Sequence, residues 1–128
     1  MIYVTKDAKD RDVINITKSD DGSLTFPLKN DATKQPYTMG ETEYLTFTVR
    51  QQPIESSAVL LQSTSDLGSN IIEITHEQSG AMEVGEYSAD AQLMTRDGKQ
   101  ITVWPKLEGK DRTSTENRKN FCITSEVT

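Results

Sequence analysis

One cysteine, one histidine and one tryptophan are spread through 128 residues. A lone Cys122 excludes an intrachain disulfide. His76, in ITHEQ, has no second histidine beside it, and a nitrogen–sulfur metal site needs several such ligands. No serine or cysteine stands in a nucleophile signature that His76 would serve as base. His76 therefore reads as a surface residue at a strand end. Cys122, between Phe121 and Ile123, reads as the residue facing the other way on a strand. The seven glycines are single and scattered, so no loop is built to cradle phosphate. The acids of DAKDRD and KSDDGS miss the D-x-[DN]-x-[DN]-G spacing that wraps a calcium ion, and read as solvated turns. Neither a cofactor nor a metal is expected.

Positive charge is also scarce: 14 Lys+Arg stand against 20 Asp+Glu, a formal net charge of -6. Even the most basic region, KLEGKDRTSTENRK, interleaves three acids. No basic stripe is left to displace counterions, so nucleic acid is not an expected partner. No apolar run approaches a membrane span, and MIYVTKDAKDRD lacks the apolar stretch of a signal peptide. The expectation is synthesis in a reducing cytoplasm with no membrane association. Of the few aromatics, Phe26, Phe47 and Phe121 fall at core positions. The remainder are too dispersed to line the cleft in which a glycosidase distorts its substrate. The expected protein is not an enzyme.

What the chain does have is a two-residue period. At 128 residues it is expected to form a single domain over 1–128. EYLTFTVRQ alternates Leu45, Phe47 and Val49 against Tyr44, Thr46, Thr48 and Arg50, the pattern of a half-buried strand, ended by Pro53. RDVINIT and SLTFPL flank Asp21-Gly22 and read as a first hairpin, with Val13 or Ile14, Ile16, Leu24, Phe26 and Leu28 inward. A strand is expected from about Ala58 to Ser63, and another in NIIEITHE with Ile72 and Ile74 on one face. QSGAMEVG then reads as a short link. Serine and threonine supply 27 of the 128 residues, as suits the wet faces of antiparallel strands. The spacing of Thr113 and Glu116 is that of a capping box. No apolar run follows it, so a stable helix is not expected there.

VGEYSADAQLMTRDGKQITV combines these signals. Tyr87, Ala89, Ala91 and Leu93 share one face, and the two alanines call for something bulky from the opposite sheet, Trp104 or Phe47. Asp97 and Gly98 supply a hairpin turn, after which Ile101 and Val103 face the core. Gly85-Glu86-Tyr87 has the form of a tyrosine corner, in which the hydroxyl bonds back to nearby backbone at the crossover between sheets. The whole predicts an all-β, antiparallel immunoglobulin-like sandwich of about 7–9 strands.

KDAKDRDVINIT, LTFTVRQ, NIIEIT, GEYSADAQLMTRDGKQITV and FCITSEVT together resemble a group of small phage and prophage virion proteins. The likeness, from about Lys6 to Thr128, is to the N-terminal immunoglobulin-like domain of phage baseplate upper proteins and to related small tail and neck proteins. The resemblance implies a non-enzymatic structural role through protein–protein contacts with other virion proteins. It also implies assembly into a homo-oligomer, a trimer or ring, and synthesis in the bacterial cytoplasm before incorporation into the virion. The chain departs from that group between Trp104 and Asn120, where a long polar insertion replaces a short turn. Long loops in compact domains are commonly functional or disordered, so this reads either as a mobile surface loop or as the candidate interaction loop: Trp104, Lys106, Lys110, Arg112 and Arg118. A rival reading is a carbohydrate-binding sandwich using Trp104 and Tyr44 as stacking platforms.

Overall fold

The computed structural model describes residues 1–29, 33–52, 56–105 and 119–125. Among them are nine strands and one short helix. The alternation in EYLTFTVRQ becomes β4, Tyr44–Arg50, with Leu45, Phe47 and Val49 wholly buried. The longest strand is β7, Gly85–Met94, whose Tyr87, Ala89, Ala91 and Leu93 are buried as the period requires. The others are β1, Ile2–Lys6, β2, Asp12–Thr17, β3, Gly22–Thr25, β5, Val59–Thr64, and β6, Ile71–Ile74. After the helix α1, His76–Gly80, come β7, β8, Gln100–Trp104, and β9, Phe121–Thr124.

The protein is all-β in its core, arranged as a seven-stranded sheet and a two-stranded one. The larger runs β1-β2-β9-β7-β4-β5, with β8 also on β7, and the smaller is β3-β6. One hydrophobic cluster joins them, with Ile72 and Ile74 from the small sheet and Ile14, Leu45, Phe47, Ala91 and Phe121 from the large one. Each large aliphatic or aromatic side chain fully buried there contributes roughly 1.5–3 kcal/mol by leaving water.

The sheet is not purely antiparallel, because β2 and β9 run parallel, Ile14 opposite Phe121 and Ile16 opposite Ile123. The strand β9 fills the space between β2 and β7. Those two run in opposite directions, so a strand between them must be parallel to one of them.

Asp21-Gly22 does not close a hairpin either. Both edges of β2 are taken by β1 and β9, so β3 crosses to the second sheet and pairs with β6. The turn residue with positive φ is Ser19, at 68°. Gly22 serves a close approach instead: a Cβ there would lie 3.0 Å from Cβ of Ile2.

Three further expectations change. His76 opens α1 rather than ending a strand, with Thr75 as N-cap and Gln78 completing a capping box. The bulky neighbours of Ala91 come from its own sheet, Phe47 on β4 and Trp104 on β8. Ile101 stands opposite Leu93 yet is 47% exposed, in the lining of an open cleft. Pro53 and the Thr113–Glu116 spacing lie outside the described residues.

Candidate functional site

At the start of β7, Tyr87 puts its ring in the core and its hydroxyl donates to the Glu83 carbonyl at 2.6 Å. This is the back-bond expected of a tyrosine corner. Burial, and then the nearby Glu83 carboxylate, hold the phenol above its usual range, so it works as a neutral donor. Gly85 has no crowding, since a Cβ there would only touch the Tyr87 hydroxyl at 4.0 Å.

One edge of β7 is shared. Its first part, Gly85–Tyr87, pairs with β9, and its last part, Ala91–Met94, pairs with β8. Between them Asn120 closes the ladder with its side chain. Its Oδ1 accepts from Ala89 N–H at 2.7 Å, and its Nδ2 donates to Ala89 C=O at 3.0 Å. Its backbone N–H donates to Tyr87 C=O, and its carbonyl accepts from Ile14 N–H. Sequence reading passed over Asn120, and an asparagine just before an apolar strand is a weak signal.

The β7–β8 turn is as expected. Gly98 has φ 85°, Thr95 N–H donates to Lys99 C=O, and the Thr95 hydroxyl bonds the Asp97 carboxylate. That hydroxyl holds the Asp97 carboxyl below its usual range. Asp97 and Gly98 are thus turn residues.

Trp104 is not an exposed platform. Its ring lies 6.0 Å from Phe26 and 6.4 Å from Phe47, centroid to centroid, and a cis peptide bond joins it to Pro105. Tyr44 alternates with Leu45 and so lies on the outer face of the sheet, while Trp104 packs against the inner cluster. The two do not form a shared stacking surface. Lys106, Lys110, Arg112 and Arg118 lie outside the described residues.

Trp104 instead forms a wall of a cleft of about 620 Å³ where β8 and the β1–β2 hairpin face the segment following β3. Ile14, Phe26 and Leu28 are buried residues of the lining, and Val4 and Ile101 are exposed ones, 54% and 47%. Asp12 and Lys29 are among its few charged lining groups. A mostly apolar cleft with a few polar groups is the usual form of a binding site. Its chemistry suits apolar side chains of a partner.

The acids flagged in the sequence have local work. In DAKDRD, Asp7 accepts from the backbone N–H of Lys9 and of Arg11 and from Arg11 Nε at 2.9 Å. In KSDDGS, Asp21 accepts from His76 N–H at 2.6 Å and faces His76 Nδ1 at 3.1 Å. These bonds hold both carboxyls below their usual range, the backbone donors first. On the outer face, Asp90 is half-buried, and burial raises its carboxyl despite Arg50 nearby. Arg50 Nε is buried without a hydrogen-bond partner. Cys122 is half-buried and its thiol is pushed up by burial and by Glu86, the opposite of an activated nucleophile. Among the described residues no three His, Cys, Asp or Glu side chains are grouped to hold a metal ion. No described helix is long and apolar enough to cross a membrane.

No protein-family model, curated protein or solved structure matches this chain.

Proposed function

We propose that this chain is a non-enzymatic structural or assembly protein of a phage or prophage virion, in a tail, baseplate or neck. In this reading it is an immunoglobulin-like sandwich that works through contacts with other virion proteins. The observation that carries the reading is the apolar cleft beside β8, with Trp104 in its wall and Val4 and Ile101 exposed in its lining. An extended segment of a partner protein would seat apolar side chains there, with the adjacent strands offering backbone groups. The sandwich assignment is supported by β3–β6 facing a sheet centred on β4 and β7. Immunoglobulin-like sandwiches set strands B and E against C and F in this way, with the corner tyrosine near the start of F. Tyr87 meets that position.

The test uses purified tail, baseplate and neck proteins encoded beside this chain's gene. Trp104 is the sole tryptophan, so its fluorescence reports on the cleft when tryptophan-free partner fragments are titrated in. The expected result is saturable binding at micromolar or lower concentration, with Ile101→Asp weakening it about tenfold or more. Absence of binding to every neighbouring virion protein, or a gene neighbourhood of metabolic enzymes, would overturn the proposal.

A further inference from the structure

We infer that β1 is a docking edge for a second copy of this chain, joining two large sheets across a two-fold axis near Val4. The inference concerns self-association and does not rest on the virion reading.

Hydrogen bonds at the two ends of the β1–β2 pair fix which backbone groups of β1 point outward. Thr17 N–H donates to Met1 C=O, and Asp7 N–H donates to Arg11 C=O. With Ile2 opposite Ile16 and Lys6 opposite Asp12, the odd-numbered residues of β1 bond to β2. The N–H and C=O groups of Ile2, Val4 and Lys6 then face the outer edge, free of any partner strand among the described residues, since antiparallel strands alternate in this way.

The other edges of the large sheet are treated differently. On β5, Gln62 C=O accepts from the Gln78 side chain, and the Ser63 hydroxyl donates to Glu73 C=O. Thus α1 and β6 reach the Gln62–Ser63 part of that edge, and a register shift interrupts the β4–β5 pairing near its exposed start at Val59. The pairing of β8 with β7 carries a register shift beside Trp104, and bulged strands of this kind make blunted edges. By contrast β1 pairs with β2 without a register shift. Its sequence, IYVTK, has no proline or glycine and is rich in strand formers. Its one charge, Lys6, is held by Asp12 at 2.6 Å. Tyr3 and Val4 are 43% and 54% exposed. Native edges are usually protected by free lysines, prolines or bulges.

The segment is also self-complementary. Paired antiparallel about Val4, it sets Val4 against Val4, Tyr3 against Thr5, and Ile2 against the aliphatic stem of Lys6. Aromatic against β-branched and aliphatic against aliphatic are favourable cross-strand pairs. The outward groups would form about six ladder hydrogen bonds. An interface that uses one patch twice is the commonest closed symmetry.

Val4→Pro provides a selective test. Val4 N–H faces the free edge, so proline removes a donor the monomer does not use, whereas it removes both central bonds of the dimer. The experiment measures mass by sedimentation over a rising concentration series of the full chain, alongside Tm and amide exchange. The wild-type chain is expected to show a concentration-dependent dimer, with slow exchange at Ile2 and Val4 only where dimer is present. Val4→Pro should retain its Tm within a few degrees and raise the dimer dissociation constant about tenfold or more. Should Val4→Pro fail to fold, Val4→Lys, which sets two like charges together, should do the same. A wild-type chain that stays monomeric at the highest concentration overturns the inference. So does a dimer of equal strength in a folded Val4 variant, or Val4 exchange that ignores concentration. Because Val4 also lines the cleft, Ile101→Asp separates this inference from the proposed function: it should weaken binding to virion partners and leave the dimer intact.

Discussion

Tyr87 and Asn120 each occupy a place where the ladder of β7 would otherwise leave polar backbone unmatched. The Tyr87 hydroxyl bonds Glu83 C=O at the entry to the strand. Tyr87→Phe keeps the ring and removes that one bond, so a cost of about 1 kcal/mol is expected from urea unfolding, with an unchanged m value. Asn120→Ala removes more, because Ala89 N–H and C=O both lose their partner. Ala89 is 7% exposed and Asn120 2%, so water cannot easily replace the amide. A loss of roughly 2–4 kcal/mol is expected from the two orphaned groups, measured in the same way. A cost for Asn120→Ala no larger than that of Tyr87→Phe would show that the side chain is not completing the ladder.

At the scale of elements, the turn between β7 and β8 is where sequence and structure agree closely. Gly98 sits at φ 85°, where a Cβ is strained whatever space surrounds it, and nothing lies within 4 Å to be displaced. Gly98→Ala should therefore cost about 1 kcal/mol through backbone strain alone, visible as a lower Tm with the same fold by circular dichroism. The hairpin was legible because its turn and both strands are contiguous. So were β4 and β7, whose predicted inward residues are all buried, although Thr48 and Ser88 on the other face are buried too. The role of Asp21-Gly22 was not legible, because a local turn signal says nothing about whether the preceding strand has a free edge. The pairing of β2 with β9 links residues more than a hundred positions apart, and no local period encodes that. Thr75 and Gln78 carried the capping signal for α1 in plain sight. The five-residue helix they start lacks the apolar repeat by which helices are recognised. The sequence marks Trp104 as the head of a long loop, but its contacts with Phe26 and Phe47 depend on how β3 crosses between the sheets.

At the scale of the whole molecule, the five described carboxyls shifted from their usual range fall into two groups with opposite effects on stability. Asp7, Asp21, Glu43 and Asp97 all have carboxyls held below their usual range by donors of the folded chain. For Glu43 those donors are Gly40 N–H first and the Tyr37 hydroxyl second, at 2.8 and 2.7 Å. A depressed folded pKa means that the unfolded chain binds protons more tightly. Stability from these groups is then present above the ordinary carboxylate range and is lost as pH falls through the lowered values. Asp90 acts in reverse, because burial raises its carboxyl. Its charge disfavours folding above the raised value, and that cost disappears as pH falls toward the ordinary one. The four lowered groups make Tm fall as pH is lowered from about 5 to about 3, and Asp90 opposes that fall. Glu43→Gln should lower Tm at neutral pH and make the acid slope shallower. Asp90→Asn should raise Tm at neutral pH, with the gain shrinking as pH approaches 4 and the wild-type acid takes up its proton. Thermal unfolding of the three proteins across that range checks both signs at once. A gain for Asp90→Asn that persists undiminished in acid would assign it to packing instead of to the buried charge beside Arg50.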